Sequence, residues 1–180
     1  MTMPPGLRKF ALTAHVTSSV AWTGAVAAFL ALSVDGLVSD DAQRVRAAFL
    51  AMELTAWFVI VPLSLVSLLS GLVQSLGTVW GLFRHYWVLF KLLINVFATI
   101  VLLMYMQTLG YLAGVAANTN LSSSDLLALR SISPVLHAGA ALFLLLVATT
   151  LAVYKPRGVT PYGQRKQREE RQRLNENVSR

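Results

Sequence analysis

The chain has 180 residues with a formal net charge of +7, and hydrophobic residues make up 56% of it while charged residues make up only 13%. Average soluble domains carry about 25% charged residues, so this composition argues against a water-soluble fold. The chain contains no cysteine, which excludes disulfides, thiolate nucleophiles and cysteine-ligated metals or clusters.

Four long apolar runs predict four membrane-spanning helices, because about 20 apolar residues in a helix cross a bilayer core of roughly 30 Å. The first run is too long for the core of a signal peptide, which is about 7–15 residues, so we interpret it as an uncleaved span. We therefore predict an all-α, antiparallel, four-helix transmembrane bundle over residues 1–154, followed by a basic tail over residues 155–180. The predicted spans are 10–32, 47–76, 87–110 and 134–154.

The second predicted span carries two local signals. Asp40 lies just before it and is a candidate N-cap. Pro62 lies inside it and is expected to kink it, because proline removes one backbone hydrogen bond. The span would be about 45 Å long as a straight helix, so either it tilts or its first turns stand outside the bilayer.

The segment before the fourth span predicts a short surface helix. Ser122 and Asp125 have the spacing of a capping box, which favours a helix over residues 123–131. Pro134 then opens the fourth span at a position where proline is tolerated.

Positive charge is distributed unevenly between the two sides of the predicted bundle. Twelve of the fifteen Lys and Arg residues fall on the side of the termini, and three fall on the opposite side. By the positive-inside rule, both termini face the cytoplasm, and we predict a multi-pass protein of the plasma (inner) membrane. The three on the opposite side are Arg44, Arg46 and Arg130.

The basic tail and a pair of glycines indicate possible contacts with lipid and with a second copy of the chain. The tail has eight Lys or Arg against three Glu, so it is either a solvated tail or a clamp on anionic lipid, at about 1 kcal/mol per basic residue near the surface. Because the positive excess lies in this tail, it does not indicate nucleic acid. Gly110 and Gly114 form a GxxxG pair, which serves either packing within one bundle or a homodimer interface.

The chemically versatile side chains at membrane depth fall into two layers. The inner layer holds His15, Gln74, His85, Lys91 and Asn95. Ionisable groups inside a membrane are functional candidates by default. The structural alternatives are a His15 hydrogen-bonded to a neighbouring helix, a His85 in an aromatic belt, and a Lys91 that extends to the headgroups.

The outer layer holds Glu53 and His137, whose depths match, so we predict a polar pair unless Glu53 lies at the membrane surface. Counting 1.5 Å per residue, His15 and His137 lie about 18 Å apart along the membrane normal. Two imidazoles on one metal ion need ligating nitrogens about 4 Å apart, so these two cannot share a metal, whereas His15 and His85 are candidates.

The first span resembles that of a family of small four-span bacterial membrane proteins of unknown function, through His15, Trp22 and Gly24 in a His-x6-Trp-x-Gly pattern. The segment SGLVQSLGTVWGLFRHYWVLFKLLI is similar to the junction of its second and third spans. The layout also resembles, more distantly, the membrane domains of CopD-type copper-resistance proteins and HemJ-type protoporphyrinogen oxidases. In the latter a first-span His and a later-span Lys accompany a haem b, and the matching positions are His15 and Lys91.

The resemblance implies a redox-type membrane protein that binds haem b. In this interpretation His15 would be an axial ligand and Lys91 the partner of an anionic group. The depth of His85 makes it the candidate second ligand. The alternative is a non-enzymatic membrane scaffold without a cofactor, which would assemble through its small-residue faces and basic tail. No nucleophile–base arrangement, phosphate-binding loop or HExxH motif occurs, so the sequence does not specify a reaction.

Overall fold

The computed structural model describes residues 3–77, 81–118 and 122–178, and it confirms the all-α fold. Four of its helical segments are long and apolar enough to cross a membrane. The second is continuous over Ala42–Gly77, because α2, a π-helical segment and α3 follow one another without a break. The elements are α1 Pro5–Val38, α2 Ala42–Thr55, the π segment Ala56–Ile60, α3 Val61–Gly77, α4 Tyr86–Ala117, α5 Ser123–Leu129, α6 Ser133–Tyr154 and α7 Pro161–Val178.

The long helices form a four-sided antiparallel bundle in which each packs against its neighbours in sequence. α1 contacts the Ala42–Gly77 helix and α6, and α4 contacts the same two from the opposite side. Both ends of the described chain lie at one end of the bundle: the backbone N–H of Met3 donates to the Gly77 carbonyl at 3.2 Å. We call this the terminal end and the opposite one the far end.

Charged contacts tie the connections together at the far end. The Arg130 guanidinium pairs with the Asp40 carboxylate at 2.6 Å, which joins the first and third connections. Arg46 donates to the Ala117 carbonyl at 3.2 Å, which ties α2 to the end of α4.

The predicted disturbance at Pro62 takes the form of the π segment Ala56–Ile60. Proline has no N–H, so the carbonyl four residues earlier, at Phe58, has no donor at the usual helical position. The helix widens just before this point, where the Val61 N–H donates to the Ala56 carbonyl, five residues back. The helix thus remains continuous through the proline.

The predicted N-cap of the second span is wrong by one residue. Asp41, and not Asp40, accepts a hydrogen bond from the Gln43 backbone N–H, at 2.9 Å. Asp40 points instead to Arg130. The capping box at Ser122 and Asp125 is confirmed, although the helix that it opens ends at Leu129, two residues earlier than predicted.

The core of the bundle is mostly apolar with a few buried polar side chains, and large apolar side chains also cover its outside, as expected for a protein surrounded by lipid. Ser18, Ser64, Ser67 and Thr99 are each at most 4% exposed. Large apolar side chains such as Phe58, at 76% exposed, project outwards along the helices. In lipid, apolar surface gains nothing by burial against apolar surface, so interhelical hydrogen bonds and small residues hold the helices together.

The basic tail is docked at its start instead of being solvated throughout. The Thr160 hydroxyl donates to the Phe83 carbonyl, and the Thr160 N–H donates to the Arg84 carbonyl at 3.0 Å. Gly163 is buried so closely against Arg84 that a Cβ would overlap the Arg84 carbonyl oxygen. Further along α7, Glu170 pairs with Arg84 at 2.7 Å. We call residues 158–163 the C-terminal strap.

Candidate functional site

A small polar cavity lies between α1, α3 and α4 in the half of the bundle nearer the terminal end. Its volume is about 90 Å³. The apolar part of its wall includes the Trp87 ring and the aliphatic side chain of Leu68. We call this cavity the polar chamber. Its polar wall residues are His15, Gln74, Ser75, Lys91 and Asn95.

His15 is held in one orientation by α3. Its Nδ1 lies 3.0 Å from the Ser67 carbonyl and 3.2 Å from the Ser70 hydroxyl. A carbonyl only accepts, so Nδ1 carries the proton and Nε2 is the ring nitrogen left for another partner. Gly71 makes room for the ring, since a Cβ there would lie 3.0 Å from Cε1 of His15. A metal-ligating histidine is oriented by a backbone carbonyl in the same way.

Hydroxyl groups extend the polar interior from the chamber towards the middle of the bundle. Ser19 and Ser67 share a hydrogen bond of 2.7 Å between their hydroxyls, which links α1 to α3. Deeper in the bundle, the Thr99 hydroxyl and the Trp22 indole N–H are buried with no hydrogen-bond partner in the described part of the chain. These two groups are unsatisfied, whereas His15, Ser19 and Ser67 are hydrogen-bonded.

Lys91 projects into the chamber without a carboxylate to oppose it. Its ammonium nitrogen lies 5.6 Å from the centroid of the Trp87 ring, within the range of a cation–π contact. Among residues 3–77, 81–118 and 122–178, no acid lies within ion-pair distance of this nitrogen. The acids of the bundle belong to its far half or to the far-end connections, at Asp35, Asp40, Asp41, Glu53 and Asp125.

His85 is the one member of the predicted inner layer that is not in the chamber wall. It is the N-cap residue of α4 and forms an isolated antiparallel bridge with Val159 of the C-terminal strap. Its ring centroid lies 6.4 Å from that of Trp87. The structure therefore brings together His15, Lys91 and the two amides, but places His85 with the strap.

The structure does not pair Glu53 with His137. Nδ1 of His137 bonds to the Ser133 carbonyl at 2.8 Å, within its own helix, and its ring stacks on Tyr105 with centroids 4.1 Å apart. The Glu53 carboxylate faces α4, where a Cβ on Gly110 would lie 3.8 Å from Oε1. No hydrogen bond or ion pair joins the two in the described part of the chain.

A second, larger cavity lies farther from the terminal end. It has a volume of about 220 Å³ and an almost wholly apolar wall. Its wall includes Phe29 of α1, Ile60 of the π segment, Leu102 of α4 and Ala138 of α6. We call it the apolar cavity. Tyr105 and His137 contribute at its border.

The two serines that hold His15, Ser67 and Ser70, were not singled out from the sequence, although their spacing carried a signal. Ser64 and Ser67 are three residues apart, and Ser70 follows, so they line one side of a helix in an otherwise apolar run. Such a polar stripe in a membrane span indicates the side that faces other helices. Within the described residues, no group of three or more His, Cys, Asp or Glu is arranged to hold a metal ion.

Comparison with protein-family models, with curated proteins and with solved structures finds no match to this chain.

Proposed function

We propose that this chain is a multi-pass membrane protein that binds a ligand or cofactor in the polar chamber, through His15 and Lys91. The observation that carries the proposal is the environment of these two residues. The Ser67 carbonyl orients the His15 ring and leaves one nitrogen free, and Lys91 enters the same chamber as an uncompensated cation. Ionisable groups at membrane depth are costly, so two of them converging on one cavity is a functional arrangement.

Haem b is the cofactor that the resemblance to HemJ-type membrane domains, through His15 and Lys91, implies for this site. The side chains supply part of what haem requires. The neutral imidazole of His15 is a suitable axial ligand for iron, and Lys91 would oppose a propionate. When bound, haem would supply one-electron redox chemistry.

The room available does not match the whole macrocycle. A cavity of about 90 Å³ holds a small molecule, and a tetrapyrrole is several times larger. The predicted second ligand, His85, lies outside the chamber wall. In the described conformation the chamber does not accommodate haem, so haem binding requires α1, α3 and α4 to separate on one side.

Absorption spectroscopy and native mass spectrometry of one detergent-purified preparation test the proposal. We expect a bound small molecule in the wild-type protein that is lost in His15→Ala and retained in His137→Ala, a histidine remote from the chamber. If the cofactor is haem, a Soret band follows the same pattern. A colourless preparation that carries no bound mass and acquires no Soret band when haem is supplied would contradict the proposal.

The second candidate function is a scaffold without a cofactor, which spans a bacterial inner membrane with both termini on the cytoplasmic side. Two observations favour it. A Cβ on Gly114 would meet nothing within 4 Å, so this face of α4 is open to a second copy of the chain. The residues of α7 beyond the strap are nearly all exposed, and five of them are basic, as suits contact with anionic lipid. Cross-linking of a Gly114→Cys variant in membranes would report the dimer.

A further inference from the structure

We infer that the polar chamber is a binding site for a compact oxyanion, a carboxylate or phosphate group held by Lys91. This inference rests on the proposed function and names the class of ligand. It differs from the haem proposal because the ligand is small enough for the chamber as it stands.

The charges around the chamber favour an anion. Charged groups at membrane depth are costly and are usually paired with one another or with backbone carbonyls. Lys91 has no carboxylate within ion-pair distance in the described part of the chain. Among the described residues, the chamber wall contains one lysine and one histidine but no acid.

The acid nearest to Lys91 along the bundle is too distant to compensate it. Glu53 lies opposite Gly110, and Gly110 is nineteen residues after Lys91 on the same helix. At 1.5 Å per residue this separation is about 28 Å along the helix axis, far beyond the reach of an ion pair. Two of the three acids of α7 are engaged elsewhere, since Glu169 pairs with Lys166 and Glu170 pairs with Arg84.

The hydrogen-bonding groups of the wall suit an oxyanion. Gln74 and Asn95 each carry a side-chain amide with two N–H donors, and both line the chamber with Lys91. Nε2 of His15 accepts a hydrogen bond from a protonated acid when the imidazole is neutral, and it donates one to the anion when the imidazole is charged. A carboxylate or phosphate oxygen bonds strongly to an ammonium group, because the bond is charge-assisted.

The size of the chamber selects compact ions. Its volume of about 90 Å³ holds an ion of a few non-hydrogen atoms, such as acetate or phosphate, and is too small for a sugar acid such as gluconate. Lys91 is five residues from the start of α4, about 7.5 Å along the axis, so an ion entering from the terminal end has a short way to travel.

Thermal unfolding of the full-length protein in lipid-free detergent provides the test, with sodium acetate and sodium phosphate as probes and sodium gluconate at equal ionic strength as the size control. We expect acetate or phosphate to raise the unfolding midpoint saturably by several degrees, because a ligand that binds only the folded state stabilises it. Gluconate should not raise it. Lys91→Gln should abolish the shift. Lys9→Gln should keep it, because Lys9 is an exposed lysine near the start of α1, at the same end of the bundle.

Three other outcomes are informative. An equal shift in wild type and Lys91→Gln, a gluconate shift as large as the acetate or phosphate shift, or no shift with acetate, phosphate or phosphatidylglycerol would overturn the inference. Should neither Lys91→Gln nor Lys91→Met fold, the size selectivity of the wild-type protein alone decides. A saturable shift with short-chain phosphatidylglycerol, but not with acetate or inorganic phosphate, would support the oxyanion site and assign it to a lipid headgroup.

This test and the haem test fail independently. A Soret band that depends on His15, together with no response to acetate, phosphate or lipid headgroup, would leave the proposed function standing and remove the oxyanion. A selective anion shift without any Soret band would support the oxyanion and remove haem.

Discussion

The polar chamber and the apolar cavity are built within the same four-helix bundle, yet they have opposite character. The chamber is less than half as large, at about 90 Å³ against about 220 Å³, and it contains His15 and Lys91. The cavity has almost no polar surface. An apolar cavity stays dry and offers no directional bonds, whereas a polar one binds water or ions. In a membrane bundle the chemistry of the wall, and not the volume, therefore identifies the candidate functional site.

The difference between the polar chamber and the apolar cavity would not hold if the cavity tolerated a charged side chain. Ala138 is 5% exposed and lines the cavity, so Ala138→Asp would bury a carboxylate in a dry environment. We expect a loss of about 2.5–3.5 kcal/mol in the free energy of unfolding, measured by denaturant titration in detergent. Ala117→Asp, at the exposed far end of α4, is the control and should cost little. Equal tolerance of both substitutions would mean that the cavity is hydrated.

The chamber should be sensitive to a single methyl group beside His15. In Gly71→Ala the new Cβ would lie 3.0 Å from Cε1 of the His15 ring, so the ring must move and its bond to Ser67 must weaken. Overpacking of this kind costs about 1–3 kcal/mol. Gly24→Ala is the matched control, because nothing lies within 4 Å of its Cβ. Thermal unfolding of the two variants compares them directly, and indistinguishable midpoints would contradict this description of the chamber.

The hydroxyl link beyond the chamber should give a modest coupling. Ser19 and Ser67 are joined by a bond of 2.7 Å, and serine-to-alanine substitutions at both positions leave the Ser67 carbonyl in place for His15. A double-mutant cycle should yield a coupling of about 0.6 kcal/mol, the average found for such bonds in membranes. A coupling indistinguishable from zero would show that the polar interior ends at the chamber.

The smallest effect is expected near the apolar cavity, between Glu53 and His137. Because His137 bonds to Ser133 and stacks on Tyr105, Glu53→Ala and His137→Ala should have independent effects on the free energy of unfolding. The double mutant should equal the sum of the single mutants within about 0.3–0.5 kcal/mol. A double mutant no worse than the more harmful single mutant would restore the pair that the sequence predicts.

The depth of a side chain could be predicted from the sequence, because depth follows from counting residues along a helix. The direction in which a side chain points could not, because it depends on how each helix is rotated about its axis. Depth follows from 1.5 Å per residue, so His15, Lys91 and Asn95 were assigned correctly to one layer. Depth alone does not say which way a side chain points: Glu53 faces α4 at Gly110, whereas His137 stacks on Tyr105, five residues earlier on the same helix. The docking of the C-terminal strap was missed because the contacts of Thr160 are with backbone carbonyls, which leave no sequence pattern.

Solvent accessibility of single cysteines tests the difference between the two cavities most directly. The chain has no cysteine, so each substitution introduces a unique thiol. We expect Gln74→Cys, in the chamber wall, to react with a small water-soluble methanethiosulfonate reagent, and Ala141→Cys, in the apolar cavity, to stay unmodified in the folded protein. Modification of Ala141→Cys with an unreactive Gln74→Cys would contradict the assignment of the polar chamber as the ligand site.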